Sequence, residues 1–262
     1  ALAARFGALY GCATSMPRLS GERLVYRLNA RWKIFAQTGQ VVTEIVPGIH
    51  LGRSAYRVSR EANIFGKRST EAVIVDADGL FHYVYTRQAQ KMIGPDLLET
   101  MRWDHVGGRL YVTRHELENG KPVRQTRAQV IELGGAETPA DAVDPLTAML
   151  RFRDRCIAGA RGPWRAFVFD GIGSRFDVTA RENGPSAKAT TSLLGDCTAT
   201  PYLWEWRSLC EDSDRKLDMV IAADSHGTPL ALTMELWGAT GRGELIYREA
   251  ITNTPPPVFP EP

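Results

Sequence analysis

The sequence predicts a mostly β protein: a strongly curved antiparallel sheet or half-open barrel, with one central helix covering it. Three observations lead there. The dipeptides Asp78-Gly79, Gly107-Gly108, Asn119-Gly120, Asp170-Gly171, Asn183-Gly184 and His226-Gly227 punctuate the chain, and such pairs tolerate the positive φ that two-residue hairpins need. The runs between them alternate apolar and polar with period two. A single segment near the middle changes to helical spacing.

Taken in order, residues 1–20 carry no periodicity and read as a flexible lead-in or signal remnant. Residues 23–35 alternate well: Leu24, Tyr26 and Leu28 share one face, Arg23, Arg27 and Asn29 the other, and Trp32 and Ile34 continue the apolar side. One long half-buried strand is expected. Strands at 41–46 and 55–60 follow, separated by Pro47-Gly48. Residues 71–76 and 80–86 form a hairpin around Asp78-Gly79, residues 98–104 and 109–115 pair across Gly107-Gly108, and 123–133 is another long strand.

The period changes at Asp144-Pro145-Leu146. Asp144 can cap exposed amides, and Pro145 suits the first helical position because it has no N–H to lose. Leu146, Met149, Leu150, Arg153 and Ile157 keep helical spacing, and Gly159 marks the stop. A helix of about three turns, lying between two blocks of strands, would cover the open side of a curved sheet. Strands at 164–169 and 175–181 then pair around Asp170-Gly171, followed by strands at 187–194, 202–208, 216–222, 229–237 and 244–251. Prolines in residues 253–262 remove ladder donors, so this tail is expected to be extended and exposed. Residues 21–252 read as one antiparallel β domain.

Composition narrows the function classes. With 44% hydrophobic residues, the 262-residue chain can build a sizeable core. Its 32 basic and 30 acidic residues leave a net charge of +2, and the arginines are scattered, which speaks against a nucleic-acid-binding face. No apolar run approaches the roughly 20 residues of a membrane span. Leu9-Tyr10-Gly11-Cys12 has the form of a lipoprotein signal ending at a lipidated Cys12, which would tether the chain to a membrane; a leader remnant with an incidental cysteine is the other reading. Cys197 and Cys210 flank a short Thr/Pro/aromatic segment that suits a disulfide-closed loop in an oxidising compartment, or else they are two buried thiols.

The sequence lacks the motifs of common catalytic sites. No C-x-x-C or H-x-x-x-H ligand pattern occurs, and G-x-S-x-G, G-x-G-x-x-G and the phosphate loop are missing, so neither a metal nor a cofactor is expected. Asp170 and Asp177 flank a turn and could face one another as an acid pair. Trp204 and Trp206 share a strand face by period two, with Tyr202 beside them. With Trp32, Phe35, Trp103 and Tyr111 they either fill a core or line an apolar cavity that holds a lipid-like molecule.

Several short stretches resemble the domain-of-unknown-function family 3108 (DUF3108). Gly21-Glu22-Arg23-Leu24-Val25-Tyr26 is similar to its first strand, Asp144-Pro145-Leu146-Thr147-Ala148 with Phe152-Arg153 to its central helix, and Phe167-Val168-Phe169-Asp170-Gly171 to the strand and turn after it. Met219, Asp224 and Pro229 fit its closing strand pair, and residues 238–245 its final turn and strand. The resemblance spans about residues 21–248; residues 195–212, rich in Cys and Trp, depart from the pattern. It implies a bacterial envelope protein, periplasmic or at the outer membrane, with a curved sheet and helix similar to lipoprotein carriers. It transfers no catalytic residues. The expected function is therefore non-enzymatic binding of an apolar ligand or a partner in the sheet's concavity. A glycan- or lipid-processing enzyme with a carboxylate pair, or an envelope assembly scaffold, is the alternative.

Overall fold

Eight strands precede one helix and seven follow it in the computed structural model, which describes residues 20–260 apart from 33–34, 65, 78–81, 91–93, 136–137, 172–173, 192, 211–213, 237–238 and 253–254. The first block is β1 (Glu22–Trp32), β2 (Phe35–His50), β3 (Arg53–Ile64), β4 (Lys67–Asp76), β5 (His82–Ala89), β6 (Asp96–Asp104), β7 (Arg109–Glu118) and β8 (Lys121–Glu132). Helix α1 (Pro145–Ile157) comes next. The second block is β9 (Trp164–Phe169), β10 (Arg175–Glu182), β11 (Ala187–Thr191), β12 (Gly195–Ser208), β13 (Arg215–Ala222), β14 (Pro229–Leu236) and β15 (Ala239–Ala250).

These strands form one curved antiparallel sheet that does not close into a barrel. Its order is β8-β7-β6-β5-β4-β3-β2-β1-β15-β14-β13-β12-β10-β9, with β11 beside β12. The first and last strands meet in its middle, Glu22 opposite Ala250 and Trp32 opposite Ala239, and each wing is a meander leading away from that seam. Just before α1, Val143 donates to Phe167 O (3.0 Å) and accepts from Phe169 N (2.8 Å), so the helix entry is tied to the outer edge of β9. The helix lies between the wings. Leu146 and Leu150 pack with Ile45, Val58, Tyr85 and Met101; Ala148 and Phe152 pack with Phe176, Trp204 and Met219. Asp144 caps it as expected, taking the Thr147 N–H at 2.9 Å, with Pro145 in the first turn.

Several expectations are corrected. Residues 23–35 are not one strand: β1 ends at Trp32, and Phe35 pairs back onto it. The turn went unseen because Ile34 continues the apolar alternation and no glycine or proline marks the reversal. Pro47-Gly48 does not separate the next two strands either. β2 runs through it to His50, and the chain reverses at Leu51-Gly52, both at positive φ (50° and 75°). Pro47 is tolerated because β1 pairs with β2 only as far as Ile45; Pro47 Cδ faces Gly21, where no ladder bond is lost. Asn183-Gly184 also makes no hairpin. β10 and β11 lie end to end along β12, with Glu182 opposite Tyr202 and Ala187 opposite Ala199, so residues 183–186 are a bulge. Pro201 sits opposite that bulge, a place where a residue without an N–H fits. The proline-rich tail is not wholly exposed: Ile49 N donates to Pro257 O (2.9 Å), Phe259 N donates to Ile49 O (2.7 Å), and Phe259 is buried. A proline carbonyl still accepts, and the donor comes from a residue that has one.

The Cys197–Cys210 disulfide is also overturned. Cys156, Cys197 and Cys210 are free thiols. The segment between Cys197 and Cys210 is an extended strand, not a loop, and at ~3.3 Å per residue it holds the two sulfurs tens of ångströms apart, far beyond disulfide reach. Cys197 lies near Ala189 O, and Cys210 accepts from Arg175 Nε at 3.4 Å. Cys12 lies outside the described residues.

Candidate functional site

Period two turns Leu24, Tyr26, Leu28 and Ala30 of β1 to the concave side, with Val41, Thr43 and Ile45 of β2 and Val58, Arg60, Ala62 and Ile64 of β3. Leu146, Met149, Leu150 and Arg153 of α1, with Pro229, Leu232, Gly241 and Gly243, complete the wall of a cavity of about 510 Å³. Residue size explains why the space exists. Beside the helix the wall carries Leu24, Ile45, Val58 and Leu150, all buried. Toward the β1–β2 and β14–β15 turns the inward residues shrink to Ala30, Ala62, Ser69, Thr240, Gly241 and Gly243. Ala30 lies opposite Gly241 and Leu28 opposite Gly243. A Cβ on Gly243 would stand 3.0 Å from Leu28 Cδ2. At this end the wall is half-buried at Leu28, Ala62 and Ile64 and exposed at Thr240.

Three charged side chains, Arg60, Glu71 and Arg153, interrupt the apolar wall. Arg60 Nη2 donates to Glu71 Oε2 at 2.5 Å, directly across β3 and β4. Burial alone would lower the Arg60 pKa, but Glu71 and Tyr85 outweigh it and hold it above its ordinary value. Arg153, only 4% exposed, is held at the helix end: through Nε and Nη2 it donates to Glu22 Oε1 (2.5 Å), His226 O (2.8 Å) and Gly227 O (3.2 Å). Arg248 adds contacts to Glu22 (3.4 Å) and Asp224 (3.2 Å). Burial pushes the Asp224 carboxyl up, but hydrogen bonds from Thr228 and the Arg248 charge hold it below the usual carboxylate range. Burial raises the Tyr26 phenol well above its ordinary value; its hydroxyl donates to Pro229 O at 3.0 Å.

A second network ties the wings together. Glu99 accepts from Arg87 Nε (2.9 Å) and from Arg114 Nε and Nη2 (2.8 and 2.5 Å). Asp170 accepts from Arg87 Nη1 (2.6 Å) and Arg215 Nη1 (2.5 Å). Burial would raise both carboxyls; the arginines outweigh it and hold both below the usual range. Gly171 is required there. Its φ is 87°, and a Cβ would lie 2.6 Å from both Arg87 Nη2 and Glu99 Oε2.

The expected aromatic site is not assembled. Trp103 belongs to the core of the first wing. Trp204, 0% exposed, and the partly buried Trp206 belong to that of the second. Tyr111 alternates with the buried Leu110 and Val112 and so lies on the opposite face. None of these four lines the cavity. Trp32 and Phe35 pair at the β1–β2 turn, and their side chains lie outside the described residues. Asp170 and Asp177 do not face one another: Asp177 pairs with Arg165 on the outer surface (2.7 Å), whereas Asp170 is buried among arginines. Sequence reasoning missed the aliphatic wall, although the Leu24/Tyr26/Leu28 alternation already exposed one side of it.

Among the described residues, no group of three or more His, Cys, Asp or Glu side chains could hold a metal ion, and no helix is long and apolar enough to cross a membrane. No family model matches the chain, and no curated protein matches it. A solved structure shares its fold: the crystal structure of a beta-barrel-like protein of domain of unknown function DUF1849 from Brucella abortus. It is 14% identical with a TM-score of 0.60, over 90% of this chain and 99% of that one.

Proposed function

We propose that this chain is a non-enzymatic cell-envelope protein that holds an apolar, lipid-like molecule in the hollow between α1 and the seam strands β1 and β15. The observation that carries this reading is the cavity itself: about 510 Å³, within the ~300–1,000 Å³ of typical ligand sites. Its wall is mostly aliphatic, and it is kept open by small residues at one end. Filling Ala30 and Ala62 with larger apolar residues would stabilise a sheet with no need of the space. The resemblance to DUF3108 and the Leu9-Tyr10-Gly11-Cys12 segment support a periplasmic or membrane-tethered location. Glu71 is the one carboxylate on the cavity wall among the described residues, so nothing there favours the acid-pair enzyme.

The test is solvent extraction of the protein purified from its bacterial envelope, followed by mass spectrometry of the extract. A lipid at about one molecule per chain is expected for the wild type, with little in Ala62→Phe, which fills the narrow end. Equal lipid in both proteins, or none in either, would contradict the reading.

A further inference from the structure

Resting on the cavity reading above, we propose that Arg60 is the headgroup contact, and that the ligand is a single-chain amphiphile with a carboxylate head, such as a long-chain fatty acid. An arginine in an aliphatic cavity is costly to desolvate and is retained where it has a partner. Glu71 is one partner, engaging a single N–H of the guanidinium. Two other arginines of the interior, the buried Arg153 and the half-buried Arg87, are used more fully. Arg153 donates to three oxygens. Arg87 bridges two carboxylates, Glu99 through Nε and Nη2 and Asp170 through Nη1.

Arg87 therefore shows, within this fold, one guanidinium meeting two carboxylates, which Arg114 and Arg215 help to neutralise; Arg60 has the same fork with one carboxylate on it. Arg60 lines the cavity and Glu71 engages one of its N–H donors; carboxylate and phosphate both match such a fork, so the charge of the head decides between them. Glu71 also sets the charge of the head. With Arg60 it forms a neutral pair, so a bound carboxylate adds one negative charge to the site whereas a phosphate dianion adds two. A cavity of about 510 Å³ takes one chain, which would lie along Leu28, Ala30 and Gly243.

The experiment is displacement of the neutral fluorophore N-phenyl-1-naphthylamine from delipidated full-length protein by palmitate, hexadecyl phosphate and hexadecanol. A hydrogen bond to a charged group predicts that palmitate competes at about tenfold lower concentration than hexadecanol, and better than hexadecyl phosphate. Arg60→Gln should bring palmitate to within about twofold of hexadecanol, whereas Glu71→Gln should keep the palmitate preference and improve the phosphate. Equal competition by palmitate and hexadecanol in the wild type, or an unchanged ratio in Arg60→Gln, would overturn the assignment. The wild-type ratio decides the matter even if Arg60→Gln does not fold. Fluorophore displaced equally well by all three amphiphiles would sink the headgroup role and leave the cavity standing; no fluorophore binding at all would sink both.

Discussion

At the scale of single residues, the buried charges are bound in defined pairs, and their energetics follow from that. Glu99 is held by Arg87 and Arg114 within the first wing, and Asp170 by Arg215 of its own wing and Arg87 across the gap. Removing one partner of such a group strands the others, so Glu99→Gln and Asp170→Asn should each cost about 3–5 kcal/mol in urea unfolding. Their carboxyls lie below the usual range. The stability they contribute is present above the unfolded carboxylate pKa and lost as pH falls through their depressed values. Asp144 has the opposite sign. Burial, only partly offset by hydrogen bonds from Thr147, raises it to about 6. The folded state then holds its proton more tightly than the unfolded chain, and stability falls as pH rises from about 4 to about 6. Asp144→Asn should remove that fall from a profile of Tm against pH. Trp204 shows why the aromatic site was misjudged. Alternation correctly put it on one face with Trp206, and the two rings stack at 6.4 Å. Sequence does not say whether such a face meets a cavity or a helix, and this one meets Phe152, 4.8 Å away. Trp204→Ala should cost about 3–5 kcal/mol in urea unfolding and leave ligand affinity in the folded protein unchanged.

At the scale of elements, the legible features were those with their own local chemistry. Asp144-Pro145 named the helix start because capping and a missing N–H act within one turn. Asn119-Gly120 named a hairpin because both residues take positive φ (50° and 75°). The β1–β2 turn, the passage of β2 through Pro47 and the bulge at residues 183–186 were not legible, because each is decided by what lies beside the strand: the last rung of β1, the seat of Gly21, the broken ladder along β12. Strand β8 is the least supported element, exposed along nearly its whole length and paired to β7 alone. Its amides should exchange with deuterium well before those of β2 and β3, which have neighbours on both sides. Protection of β8 equal to that of β2 would mean that its outer edge is covered.

At the scale of the whole molecule, two meandering wings joined at the β1·β15 seam are held apart by α1, and the cavity opens where small residues replace large ones beside that seam. The fold class was readable because period two and turn chemistry recur throughout the chain. The cavity was not, because emptiness belongs to several distant strands together: Ala30 and Gly241 are 211 positions apart in the chain yet opposite one another in the sheet. The measurement that tests this account most directly is a titration of delipidated protein with cis-parinaric acid, followed by its fluorescence, for wild type, Ala62→Phe and Trp206→Ala. The account predicts saturable binding at one site in the wild type, retained in Trp206→Ala and weakened about tenfold or more in Ala62→Phe. Binding that is lost in Trp206→Ala and kept in Ala62→Phe, or that never saturates, would contradict it.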